Sequence, residues 1–446
     1  MKKIFIQAIV LGGLALSGTG CEKYFDGVND NPNDITSAEP NLLVPAVEAH
    51  IAYGLQGDIS RLTSMLMQQC TGTDRQWLTY QVYNISETDT DNFWRFNLYG
   101  GPMQDLHILM KNANAAGYGH YEGIGKVLMA YCLMNATDLF GDIPYSQAFE
   151  GADNTAPTYD SQETIYGDIQ TLLSDAKTLF SGDGGAVLPG AEDLIYGGDV
   201  SKWTALADLL SARGHLHLAK LDASHYNDVL SILDAGGFTS SADDAVYRFG
   251  STETSAGPWY QFNDQRGDIS FTGWMLDTML VMADPRLDQW VDTSGGGAAM
   301  GPYFGSSDAP YEYGSYVEQK FMEAEAAFGT GDAARAANAH NAAVMASLAK
   351  LGVAGVNPAF ESAEANETSG TITLEKIMVQ KYIALFTSNE VFTDWRRTGF
   401  PNLQAVPDNI TGGIIPRRLP NPQSERLYNP NAPAAPAITT KVWWDN

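Results

Sequence analysis

Two short segments combine flat aromatic rings with amide, guanidinium and carboxylate groups. The first is Arg75-Gln76-Trp77-Leu78-Thr79-Tyr80-Gln81-Val82-Tyr83-Asn84, and the second is Trp259-Tyr260-Gln261-Phe262-Asn263-Asp264-Gln265-Arg266-Gly267-Asp268. A sugar ring offers one apolar face and many hydroxyls, so indole or phenol platforms flanked by hydrogen-bonding side chains suit it. The candidate ligand contacts are therefore Arg75, Trp77, Tyr80 and Tyr83 in one segment, with Trp259, Tyr260, Asn263, Arg266 and Asp268 in the other. Tyr303, Tyr311 and Tyr313 form a looser third cluster. The competing reading puts these rings in the core or at a contact with a partner protein, with Arg266 and Asp268 paired to each other. Trp274 and Trp290 sit beside apolar residues at helical spacing and read as core.

Catalysis needs a constellation, and none stands out. His215 and His217 are two apart, which on a helix points them in different directions. There is no H-E-x-x-H zinc pattern, no Gly-x-Ser-x-Gly elbow and no phosphate-cradling glycine loop. Carboxylates are abundant, but abundance does not place an acid and a base across a glycosidic bond. The sequence thus predicts no catalytic residues, no metal ligands and no cofactor. A structural calcium near Asp138 and Asp142 stays open, without the twelve-residue loop that would support it.

The N-terminus points to export. Lys2 and Lys3 precede an apolar run, Ile4 to Leu16, which as a helix spans about 20 Å against a hydrocarbon core of about 30 Å. Such a segment reads as a signal peptide over 1–20. It ends in Ser17-Gly18-Thr19-Gly20-Cys21, where a cysteine after small residues marks cleavage and acylation at Cys21. Gly18 stands where the usual pattern prefers leucine. Residues 21–40 are polar and turn-rich and suit a tether.

The chain has 26 basic against 53 acidic residues and a net charge of −27, a balance that repels phosphate backbones and argues against nucleic acid as a partner. Of three cysteines, only Cys70 and Cys132 remain once Cys21 is acylated, and both fall in segments read as helical. They are expected as buried free thiols.

The elements that must carry these groups are mostly helices. Apolar residues recur at helical spacing in 103–115, 121–138, 162–180, 201–221 and 225–234, the last stopped by Gly236-Gly237. Residues 238–315 are rich in Gly, Ser, Asp, Trp and Tyr, with one clear helix near 271–283, and read as a loop-rich insertion. Val317, Phe321, Ala324 and Phe328 form a stripe on 317–328. Gly329-Thr330-Gly331-Asp332 then turns the chain into 333–350, a tetratricopeptide-like pair. Another pair covers about 373–396, and the proline-rich last fifty residues read as extended coil. The predicted fold is mostly α, with one domain over 41–446.

In order along the chain, several motifs resemble the SusD/RagB family of nutrient-binding outer membrane lipoproteins. They include Asn31-Pro32-Asn33, Trp94 with Tyr99, and Thr137-Asp138-Leu139-Phe140-Gly141-Asp142-Ile143-Pro144-Tyr145. Asp284-Pro285-Arg286-Leu287, Glu323-Ala324-Glu325-Ala326 and Asn341-Ala342-Ala343-Val344-Met345-Ala346-Ser347 follow. The densest group is Gln380-Lys381-Tyr382-Ile383-Ala384, Asp394-Trp395-Arg396-Arg397-Thr398-Gly399-Phe400-Pro401, Pro416-Arg417-Arg418-Leu419-Pro420-Asn421-Pro422 and Val442-Trp443-Trp444-Asp445. Asn421 departs from the family's usual tyrosine. The resemblance implies a helical body that binds an oligomeric nutrient, a glycan above all, as a lid on a SusC-like TonB-dependent transporter. It implies a lipid anchor in a Gram-negative outer membrane. A surface glycan hydrolase and a protein-only scaffold are the alternatives. Most of these motifs read as structural, with Arg396 or Arg397 stacked on an indole and paired to Asp394.

Overall fold

The computed structural model describes residues 38–446. The signal-peptide reading, Cys21, most of the tether and Asn31-Pro32-Asn33 lie outside the described residues.

The described residues open with α1 (Pro40–Gln56), whose proline at the first helical position needs no hydrogen-bond partner. Helices α2 (Asp58–Leu66), α3 (Arg75–Gln81) and α4 (Glu87–Trp94) follow. Ser86 and Asp89 close a capping box on α4, satisfying two amides that the helix start leaves orphaned. A π-helical stretch, Arg95–Met103, leads into α5 (Gln104–Ala116).

The scaffold then builds around α6 (Gly119–Phe140), flanked by α5 and by α7 (Gln162–Phe180). Almost every residue of α6 from Gly123 to Phe140 is buried, so it lacks a polar face and occupies the centre. Gly123 explains how close α7 comes: a Cβ there would stand 2.5 Å from the Phe180 ring. Next come α8 (Val200–Leu218), against α7, and α9 (His225–Ala235), against α8.

Regular structure in 238–315 exceeds the sequence reading. Besides α11 (Trp274–Met282), which was expected, α10 (Pro258–Gln265) forms where a loop was predicted. Its signal was weak because only Pro258 and Trp259 are buried, too few to show a period. Three small antiparallel pairs brace the region: β1 (Thr71–Gly72) with β3 (Ile269–Ser270), β2 (Ala245–Arg248) with β6 (Pro310–Gly314), and β4 (Val291–Asp292) with β5 (Ala299–Met300).

The tetratricopeptide-like pair is α12 (Tyr316–Gly329) and α13 (Ala333–Lys350). Ser315 caps the first and Asp332 the second, each accepting a backbone N–H. Phe321, Ala324 and Ala327 of α12 meet Ala336, Ala343, Val344 and Leu348 of α13, small residues letting the two backbones approach. Phe360 of α14 (Pro358–Glu364) and Ile377 of α15 (Leu374–Ala384) close the same core, followed by α16 (Glu390–Thr398). After α16 the chain is mostly coil, with a short helix at Gln423–Tyr428 and a single turn at Trp443–Asp445.

Candidate ligand-binding site

The two aromatic-polar segments, far apart in sequence, are neighbours in space. Strand β1 leads into α3, β3 follows α10, and the β1–β3 pairing sets Thr71 opposite Ser270 and Gly72 opposite Ile269. Beyond the ladder the Thr73 amide donates to the Asp268 carbonyl at 2.7 Å. Gly72 is required here, because a Cβ would overlap the Trp77 carbonyl oxygen, 2.0 Å away.

Arg61 of α2 joins the segments from below. Its guanidinium is centred 4.5 Å from the Phe262 ring, 5.6 Å from Trp77 and 5.8 Å from Trp259, and its Nη1 donates to the Pro258 carbonyl at 3.1 Å. A cation held among three aromatic rings is attracted to their negative faces and fixes α2, α3 and α10 together.

This arrangement corrects part of the sequence reading. Trp77 is 1% exposed and Trp259 is fully buried, its indole N–H donating to Ser60 Oγ at 3.0 Å. Tyr83 is buried, with its hydroxyl accepting the Val406 amide, and Tyr80 is buried with its hydroxyl donating to Asp89. These four rings are core, as the competing reading had it. Over helices this short, composition does not reveal which side of the turn faces inward. Asp268 is buried too, and its ion-pair partner is Arg75 rather than Arg266. Tyr311 and Tyr313 also lie inside: Tyr311 shares a hydroxyl hydrogen bond with Tyr131, and Tyr313 donates to the Glu48 carbonyl.

Tyr260, Asn263, Arg266 and Arg75 keep solvent access. Helix α10 forms a ridge between two open grooves. One, of about 290 Å³, is lined by Tyr53, Asp58, Arg61, Gln76, Asn97, Gln261, Phe262, Gln265 and Arg266 among others. The other, of about 490 Å³, is lined by Tyr260, Asn263, Asp264, Arg266, Phe271, Asp292 and Met300 among others. Arg266 lines both. In the first groove four side-chain amides and an exposed arginine surround an aromatic patch in which Tyr53 is 47% exposed. Amides both donate and accept, so they match hydroxyl arrays of either polarity. The sequence reading missed Tyr53, Arg61 and Asn97. The only available signal was a charged Arg61 inside an otherwise buried helix.

Away from the grooves, one set of buried polar groups forms a network around Asp138 and Asp394. Asp138 accepts from the Tyr166 hydroxyl at 2.6 Å and the Trp444 indole at 2.9 Å, and faces His217 at 3.2 Å. Asp142 is exposed, and its Oδ1 accepts the Gln162 backbone N–H at 2.9 Å. Burial alone would lower the His217 pKa, but Glu390 at 2.7 Å and Asp138 outweigh it and raise it to about 9. Asp394 pairs with Lys381 and Arg397, and Arg397 also with Glu325. The indole stacking is exchanged relative to the simplest expectation: Arg396 lies over Trp444, and Trp395 receives Arg417. A narrow cavity of about 60 Å³, with Tyr131, Arg213, Glu318 and Asn389 among its walls, is too small for a sugar ring.

The family profile of SusD-like proteins described as "Starch-binding associating with outer membrane" matches residues 32–422. The chain belongs to this SusD-like family. Among solved structures it is similar to a chitin-binding protein, at 23% identity and TM-score 0.78 over 92% of this chain and 100% of that one. A SusD/RagB family protein from Bacteroides thetaiotaomicron gives 23% identity and TM-score 0.75 over 92% and 99%. A chitin-binding SusD homologue from Flavobacterium johnsoniae gives 20% and 0.73 over 90% and 98%. At these identities the likeness establishes the fold. No match was found among curated proteins. Among the described residues, no helix is long and apolar enough to cross a membrane.

Proposed function

We propose that this protein captures an oligosaccharide in the grooves beside α10 without cleaving it, and passes it to a SusC-like TonB-dependent transporter. The observation that carries this reading is the convergence of Gln76, Asn97, Gln261, Gln265 and Arg266 around Tyr53 and Phe262, from four separate parts of the chain. The relatives named for chitin binding make N-acetylated oligosaccharides the first ligands to try. Acylation at Cys21 would hold the body at the outer membrane and keep it concentrated over a barrel, so that modest direct affinity suffices.

The decisive experiment is calorimetry on a panel of chitin- and starch-derived oligosaccharides, with chromatography of the same mixtures after long incubation. Saturable binding with intact ligand supports capture. Released fragments would instead favour the surface hydrolase, and no binding by any oligomer together with co-purification of a barrel would favour the protein-only scaffold.

A further inference from the structure

On the far side of α8 from His217, the turn into α9 brings three donor atoms together. His215 sits near the end of α8, and His225 and Asp228 occupy the first turn of α9. The Nδ1 atoms of the two histidines are 3.0 Å apart. Asp228 Oδ2 lies 3.0 Å from His225 Nδ1 and 3.4 Å from His215 Nδ1. The three atoms form a nearly equilateral triangle.

Hydrogens satisfy such a triangle poorly. One hydrogen shared between the rings leaves the carboxylate facing a lone pair, and hydrogens on both Nδ1 atoms crowd across 3.0 Å. A metal ion satisfies all three edges at once. Ligands held about 2.0–2.1 Å from a tetrahedral zinc stand about 3.3 Å from one another, close to the separations found here.

We propose that His215, His225 and Asp228 bind one borderline divalent transition-metal ion, of the zinc, cobalt(II) or nickel(II) class, with solvent completing the shell. Two imidazole nitrogens in three donors select against calcium and magnesium, which take oxygen ligands. The side chains are 24%, 25% and 48% exposed, leaving an entry path and open positions. A bound ion ties the end of α8 to the start of α9 across Ala219–Ser224. Because α9 packs on α12, the tie also braces the tetratricopeptide-like pair.

The test uses the mature protein, freed of any affinity tag and stripped with a chelator. Cobalt(II) should bind one per chain at roughly micromolar concentration and develop visible d–d bands that zinc bleaches. Zinc should raise the melting temperature and calcium should not. His225→Ala and Asp228→Asn should each weaken cobalt binding at least tenfold while melting like the parent in chelator. The proposal is overturned if the parent shows no saturable cobalt binding up to roughly 1 mM. It is equally overturned if His215→Ala and His225→Ala bind as the parent does, or if calcium alone stabilises.

Discussion

Arg75 and Asp268, 193 positions apart, form an ion pair in which the carboxylate is buried while the guanidinium is 56% exposed. The pair closes the seam between the two segments that flank the grooves. Asp268 Oδ2 has no further protein partner, so its neutralisation depends on that single exposed arginine. Arg75→Ala should therefore destabilise the fold by about 1–3 kcal/mol, mostly through the stranded carboxylate. Urea titration of the single variant and of Arg75→Ala with Asp268→Ala checks this: the double variant should recover part of the loss. Equal losses in both would refute the assignment.

Trp77 and Trp259 should act on stability rather than on affinity alone. Each is a fully packed indole around Arg61, so truncation to alanine should cost about 3–5 kcal/mol. Thermal melts will show it. A Trp259→Ala protein that melts like the parent would contradict the packing described above.

Surface side chains of the grooves should behave in the opposite way. Tyr53→Ala, Gln265→Ala and Arg266→Ala should each leave the melting temperature within a degree or two. Each should weaken oligosaccharide binding roughly tenfold, about 1.4 kcal/mol. Calorimetry with the best ligand of the panel measures this, and unchanged affinity in all three would move the site elsewhere.

Glu48 gives the fold a pH signature. Burial, reinforced by the nearby Asp193 carboxylate, raises its pKa from 4.5 to about 10. The folded protein keeps this proton at pH values where the unfolded chain has released it, so its contribution is complete below pH 4.5 and declines as pH climbs toward 10. Glu48→Gln, which keeps the shape without the titration, should flatten the fall in urea midpoint over that range. His217, raised to about 9, adds its own loss between its ordinary 6.5 and 9, which His217→Ala would remove separately. An unaltered pH slope in Glu48→Gln would show that the carboxyl is ionised in the native state.

Helices with full apolar periods were legible from residues alone. The Val317, Phe321 and Ala324 stripe marks α12, the Gly329-Thr330-Gly331-Asp332 turn opens α13, and Ile165, Ile169, Leu173 and Phe180 set the buried side of α7. The site was legible only in outline. The two aromatic-polar segments do meet, yet the rings singled out there for ligand contact, Tyr260 apart, turn inward. A helix of two turns shows no period, and its facing is decided by partners such as Arg61, some 200 positions from Phe262. Likewise His215 and His217 do diverge, as their spacing requires. The partner His215 finds is His225, ten positions on across a turn, beyond any local pattern.

Cys70 and Cys132 are both buried, and burial pushes both thiols well above their ordinary pKa. A folded chain thus shows no reactive sulfur from either position, whereas an unfolded one shows two. Each cysteine is a built-in clock for opening: the rate at which a maleimide dye modifies it reports how often that region comes apart. Cys132, at the centre of α6, and Cys70, beside β1, would time the scaffold and the groove wall independently.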